Sequence, residues 1–424
     1  GGFEVGYSAD LSQRLRLLSN LSMIAIGSED PSVRLREGYL GAQWGPLLLH
    51  GGWYPLLIGE LPVVELSSGS MAVSENALPI PRIALRTDGF INVPGFDGGL
   101  RTKVGITHGW LLDERYTERP LLHEKWLYLQ LYQEDSFSVY GGLVHMALWG
   151  GSNPANSTLP ATFSNYGDMF FGRAASDGAT VSDTINSAGD QFGIWDIGIR
   201  TSFERIDVSL YHHHYFEDGG GLKLNNAPDG LWGVSTEFKH QRRFIPETLV
   251  IERIETSDQT GEYHDLGEFG FPEITLGGQD HYYTNSAYLS GWTHYGRVVG
   301  TPLILTSGEG EDLRIGSNRV ESTHIGIGGY LSSRWGYRFL WTSSFHRPAS
   351  RYTYGGTLVT GPEGLWQNDG LLELSATNLF GLSGLSGTFG FAASFGDFVE
   401  QSLGMLLRVK WSYPHQSNAS PSNL

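Results

Sequence analysis

The chain contains no cysteine, which excludes a disulfide framework, a thiolate metal site and catalysis by a cysteine nucleophile. Long apolar runs are missing too. The longest are short pieces such as "GPLLLH" (45–50) and "WYPLLIG" (53–59), far below the roughly 20 residues that a membrane-spanning helix needs, so a helical membrane protein is excluded. Charge is scarce at 17%, against about 25% in soluble domains, and positive charge is scarcest: 28 Lys and Arg face 45 Asp and Glu, for a net charge of -17. That balance argues against nucleic acid, whose phosphates demand cations, and against a polybasic membrane-surface anchor. The opening "GGFEVGYSAD" lacks the basic region and apolar core of a signal peptide, so export has to be argued from the fold. No nucleophile elbow, zinc-binding helix or phosphate-cradling loop stands in a credible context, and no enzymatic activity is expected.

Glycine and aromatic residues are abundant instead, with Gly 58, Trp 12, Tyr 20 and Phe 21 in 424 residues. They sit in segments of period-two alternation, which sends successive side chains to opposite faces of a strand. In "SLGMLLRVKWSY" (402–413), Leu403, Met405, Leu407, Val409 and Trp411 share one face, with Arg408 and Lys410 on the other. "GTFGFAASF" (387–395), "RWGYRFLWTSSF" (334–345) and "EKWLYLQLYQ" (124–133) repeat the pattern. A soluble sandwich would explain alternation alone. Here the apolar faces end in aromatic residues, tight turns alternate with long Gly- and Asn-rich connections, and lone charges interrupt the polar faces. Asp196, Arg200, Arg338, Glu373 and Arg408 are thus expected to line a wet lumen.

The pattern predicts an all-β fold: a transmembrane antiparallel barrel of about 16–18 strands with short periplasmic turns and long extracellular loops. It would occupy residues 1–413 as one domain in the outer membrane of a Gram-negative bacterium, both termini periplasmic, with 414–424 as a flexible tail. The connections near 113–121, 150–189, 217–229, 257–319 and 348–368 would lie outside the cell. Residues 58–98, whose Pro79 and Pro81 disfavour a central strand, read as a constriction on the periplasmic side or within the lumen. An extra hairpin inside 281–305 would raise the strand count.

Several longer motifs resemble the capsule-assembly Wzi family, in the form found in Bacteroidota-type bacteria. They are "SENALPIP" (74–81), "LLHEKWLYL" (121–129), "GLVHMALWGGSNP" (142–154), "YHHHYFEDGGGLKLNNAPDGLWGV" (211–234) and "GGQDHYYTNSAYLSGWTHYGRVVGTPL" (277–303). The resemblance spans most of the chain and implies an eighteen-stranded lectin-like barrel that helps to hold capsular polysaccharide at the cell surface. A porin-like channel and a scaffold subunit of a larger outer-membrane complex are the alternatives. Expected partners are membrane lipid and lipopolysaccharide, the polysaccharide itself and other outer-membrane proteins.

Carbohydrate recognition needs an aromatic face for the C–H side of a sugar ring and planar amides or carboxylates for its hydroxyls. Gln279, Asp280, His281, Tyr282, Tyr283, Asn285 and Trp292 concentrate such groups in one predicted loop. Asn225, Asn226, Asp229 and Trp232 form a second set, and Trp149 a third candidate. Of the three consecutive histidines, His212 and His214 would share the outer face of a strand while His213 points inward, so no metal site is expected there. No cofactor is expected, unless the acidic residues of 255–280 and 309–313 hold calcium through oxygen ligands.

Overall fold

The computed structural model describes residues 2–26, 32–133, 136–155, 158–173, 188–217, 219–239, 245–259, 263–265, 275–277, 281–348, 358–359 and 363–412. The expected tail therefore lies outside the described residues. One antiparallel sheet dominates. It comprises eighteen strands, of which one, Ile91–Asn92, is only two residues long, leaving seventeen long ones: β1 Gly2–Asp10, β2 Leu15–Ile26, β3 Ser32–Trp44, β4 Leu47–Trp53, β5 Pro81–Thr87, β6 Leu100–Trp110, β7 Leu121–Gln133, β8 Phe137–Trp149, β9 Asp190–Ser202, β10 Ile206–Phe216, β11 Gly230–Phe238, β12 Pro246–Glu255, β13 Val320–Ser332, β14 Trp335–His346, β15 Leu365–Thr377, β16 Leu385–Gly396 and β17 Ser402–Trp411.

Each strand pairs with its sequence neighbours, and among the described residues β1 pairs only with β2 and β17 only with β16. Short turns such as 45–46, 203–205 and 333–334 lie at one end. Long connections, including 54–80, 111–120, 150–189, 217–229 and 256–319, lie at the other. Along this meander Gly2 stands at the long-loop end of the sheet and Trp411 at the short-turn end.

Two expectations are corrected. Pro81 opens strand β5, where a missing N–H costs little, opposite Trp53, so 58–98 is not one irregular block. The hairpins within 281–317, Thr293–His294 with Arg297–Val298 and Leu305–Ser307 with Arg314–Ser317, belong to small separate sheets. The added barrel hairpin does not exist because these pieces pair with each other rather than with the wall.

Alternation divides the wall as the sequence predicts. Leu403, Met405, Leu407, Val409 and Trp411 of β17 point outward and stay exposed, as do Leu127, Leu129 and Leu131 of β7. Facing water, so continuous an apolar surface would drive association; facing hydrocarbon, it is the favourable solvent contact. Inside, neighbouring strands pair a bulky ring with a glycine. A Cβ on Gly142 would lie 2.1 Å from the Tyr128 ring, so the glycine lets that ring lie flat against the wall. Leu407→Arg, opposite Phe389, should cost about 2–4 kcal/mol in lipid vesicles. Arg408→Leu, on the opposite face, should change denaturant unfolding by no more than roughly 0.5 kcal/mol.

Candidate functional site

Residues 54–80 leave β4 and return to β5 at the long-loop end, then fold inward. Of the two placements expected for this stretch, the contacts with the wall are those of the lumenal one. The segment has little regular structure, so its buried peptide groups need partners from elsewhere, and the wall supplies them. Glu252 of β12, 1% exposed, accepts from the Ser68 amide at 2.6 Å, the Ser68 hydroxyl at 2.6 Å, the Ser67 hydroxyl at 2.7 Å and the Tyr211 hydroxyl at 2.6 Å. Asp196 of β9 accepts from the Glu60 amide and the Tyr128 hydroxyl, both at 2.7 Å. His213 donates to the Glu60 carbonyl at 3.1 Å, His324 to the Leu66 carbonyl at 2.8 Å and Arg338 to the Glu65 carbonyl at 2.9 Å. Lys103 pairs with Glu60. At Gly326 of β13 a Cβ would lie 2.2 Å from the Leu66 oxygen, so wall and segment meet backbone to backbone. Partners drawn from β6, β9, β10, β12, β13 and β14 hold this segment against a broad stretch of the sheet's inner face.

A second inward layer, 281–317, rests on the first. The Tyr283 hydroxyl donates to the Met71 carbonyl at 2.5 Å, the Ser74 hydroxyl to Gly300 at 2.6 Å and Asn76 to Val298 at 2.9 Å. From the 111–120 connection, fully buried Arg115 donates to the carbonyls of Gly291 at 2.7 Å and Thr293 at 3.0 Å, and Thr117 to Ala287 at 2.6 Å.

This packing decides the fate of the predicted site. Gln279 and Asp280 lie outside the described residues. Tyr282, Tyr283 and Trp292 are almost completely buried, the last with its ring 4.5 Å from Phe192, so none offers a face to a polymer. His281 is partly buried, and burial pulls its pKa down to about 4. Asn285 accepts from the Ala287 amide at 2.8 Å. Asn226 and Asp229 are buried: Asn226 donates to the Tyr215 carbonyl at 2.8 Å, and Asp229 accepts from the Tyr282 hydroxyl at 2.9 Å and the Gln259 amide at 2.8 Å. Asn225 and Trp232 are exposed, but Trp232 lies on the outer face of β11, stacked on His212 at 3.7 Å. Trp149 is buried beside Tyr166, 5.4 Å away, on the short helix α1, Phe163–Phe170. The structure therefore joins Asn226, Asp229 and Tyr282 as internal bracing and leaves Asn225 and Trp232 at the surface.

The lumen charges also divide. Asp196 is fully buried against the inner segment, not in a wet lumen, because it bonds that segment's backbone. Arg200 pairs with Asp207 at 3.0 Å and Arg338 with Glu373 at 2.6 Å, while Arg408 is exposed. His212 and His214 face outward and His213 inward, and among the described residues no three His, Asp or Glu side chains converge to hold a metal. Glu309, Glu311 and Asp312 are exposed, and the side chains of 260–280 lie outside the described residues.

Sequence reasoning missed a cavity of about 200 Å³ at the long-loop mouth, between the inner segments and the wall. Its lining includes Arg36 from β3, Tyr54 and Asn76 from the first inner segment, Arg82 from β5 and Arg297 from the second. The β2–β3 hairpin, residues 54–82 and residues 297–299 build it together, so no linear motif announces it; "SENALPIP" alone carried a hint.

Fold and interior together define an outer-membrane-type β-barrel whose lumen is occupied by two layers of its own inward-folded chain. The chain belongs to the family described as capsule assembly protein Wzi, which matches residues 2–304. Among solved structures, the Escherichia coli Wzi protein, described as a carbohydrate-binding β-barrel involved in group 1 capsule assembly, aligns with a TM-score of 0.60 at 11% identity, over 97% of this chain and 78% of that one. Pseudomonas aeruginosa OprD aligns at 0.49 and 11% identity, over 97% and 87%. OccD3 of the same organism aligns at 0.48 and 10% identity, over 96% and 85%. No curated protein sequence matches the chain at a significant level.

Two predictions follow from the anchoring. Glu252→Ala strips the acceptor from three donors on the inner segment and one on the wall, each worth about 1–3 kcal/mol when left buried and unpaired; the variant should loosen 54–80 and raise single-channel conductance above that of the parent protein. Burial raises Asp229 from 3.8 to about 6. Since the folded state holds its proton more tightly than the unfolded chain, Asp229 contributes folding stability that is fully present below pH 3.8 and is lost as pH rises through about 6, burial outweighing the hydrogen bonds from Asp258, Gln259 and Tyr282 that favour the carboxylate. The free energy of denaturant unfolding should fall across that window in the parent protein, and Asp229→Asn should remove that component of the pH dependence.

Proposed function

We propose that the barrel stands in the outer membrane with its long-loop end toward the exterior and holds a surface polysaccharide there, without catalysing a reaction. The observation that carries this reading is the immobilised mouth. Arg115, Thr117, Asn226, Asp229, Tyr282 and Tyr283 tie the long connections to one another and to the lumenal segment, which suits a rigid binding surface more than a gate. Ordering costs are met on folding, so a weak sugar contact is not spent on fixing loops. Membership of the capsule-assembly family supports the same reading, as does the carbohydrate binding ascribed to the E. coli Wzi structure. Exposed Asn225 and Tyr295 supply dispersed contacts, and a repeating polymer would gain retention from many weak ones through effective concentration. The outward apolar band meets membrane lipid and the rim meets lipopolysaccharide.

Purified barrel should bind the surface polysaccharide of its own host saturably in detergent, and should conduct less than its Glu252→Ala variant in planar bilayers. Steady, high conductance without polymer binding would make the protein a channel and reduce the family relationship to a matter of fold.

A further inference from the structure

The mouth cavity differs in charge from the protein around it. The chain carries a net charge of -17, yet the residues lining the cavity include three arginines, Arg36, Arg82 and Arg297, against one acidic residue, Glu75. The three arginines are not equally committed. Arg82 is buried and pairs at 3.2 Å with Glu124, but its Nε has no hydrogen-bond partner. Arg36 is exposed and lies a loose 3.8 Å from Glu37. Arg297 is exposed, and among the described residues no ion pair is formed by it. Tyr54, 4% exposed, lines the same cavity with its hydroxyl also unpartnered. Buried donors without acceptors are costly, and here two of them adjoin a free cation.

We propose that this cavity binds one sugar unit bearing a carboxylate, such as a hexuronic acid residue of an acidic surface polymer; the inference rests on the polysaccharide reading above. Guanidinium groups match carboxylate geometry in charge and in paired donors. The apolar part of the lining, with Leu56, Val73, Leu78, Pro79 and Val299, suits the C–H face of a pyranose ring. A volume of about 200 Å³ holds a single ring and not an oligosaccharide, so the polymer would present a terminal or branch residue. A sugar phosphate of lipopolysaccharide shares the anionic chemistry, but the cavity lies among the inner segments and the lumen-side residue Ile24, away from the lipid-facing wall where that molecule packs.

Saturation-transfer NMR on the purified full chain with glucuronic acid, glucose and glucose 6-phosphate separates these cases, alongside binding of the host polysaccharide. Glucuronic acid should bind more tightly than either other sugar. Arg297→Gln and Arg36→Gln, both exposed and so harmless to folding, should each weaken it about tenfold, the effect of losing one charge-assisted contact, and binding should weaken as salt rises. Preference for glucose 6-phosphate would overturn the carboxylate assignment. Equal binding of glucose, or polymer binding unchanged in both variants, would overturn the cavity while leaving the polysaccharide reading intact. Glucuronic acid bound through Arg297 without any polymer binding would uphold the cavity and overturn that reading instead.

Discussion

Hydrocarbon offers a peptide group no hydrogen bond, and most of this structure answers that fact. Strand pairing satisfies the wall, which frees side chains to specialise by face: leucine, methionine and aromatics toward lipid, small and polar groups inward. An encircling wall then creates a second problem, because its interior is too wide for wall side chains alone to fill. The chain solves it with its own irregular segments. Their peptide groups are again cut off from bulk water, and a polar ring on the wall meets them: Glu252 and Asp196 accept amide hydrogens, while His213, His324 and Arg338 donate to carbonyls. Buried charges are costly unless paired and hydrogen-bonded, so these wall residues are explained by the segment they hold, not by water in a pore.

That arrangement also explains which parts of the fold could be read in advance. Alternation exposes a strand's two faces to inspection, and β6 to β17 were legible because lipid tolerates few exceptions on one of them. For residues 2–57 only the number of strands was legible, four, and β1 to β4 lie there. β5 was not: it is seven residues long, begins with proline and follows a run of turn-forming sequence, so its local signals all pointed away from a wall strand.

The candidate site shows a sharper limit. "GGQDHYYTNSAYLSGW" has the composition of a sugar site, yet Tyr282, Tyr283 and Trp292 are spent on packing and bracing. Large rings with a polar tip serve an aqueous ligand and a wet protein interior equally well, and only burial tells the two apart. Lumenal segments of a barrel are unusual in needing that amphipathic interior, so aromatic-rich motifs here mark scaffold more often than contact.

The cavity at the mouth follows from the same logic run in reverse. Where the two inner layers and the wall meet, three surfaces with different backbone directions leave a gap, and it falls beside Arg36, Arg82 and Arg297. Arg82 is fixed by Glu124 beneath it, which orients the guanidinium without occupying its Nε. Charge that is held but not fully satisfied is expensive for folding alone. Its position at the rim of an otherwise well-braced plug, in a chain rich in acid elsewhere, is better accounted for by a ligand that completes it than by packing.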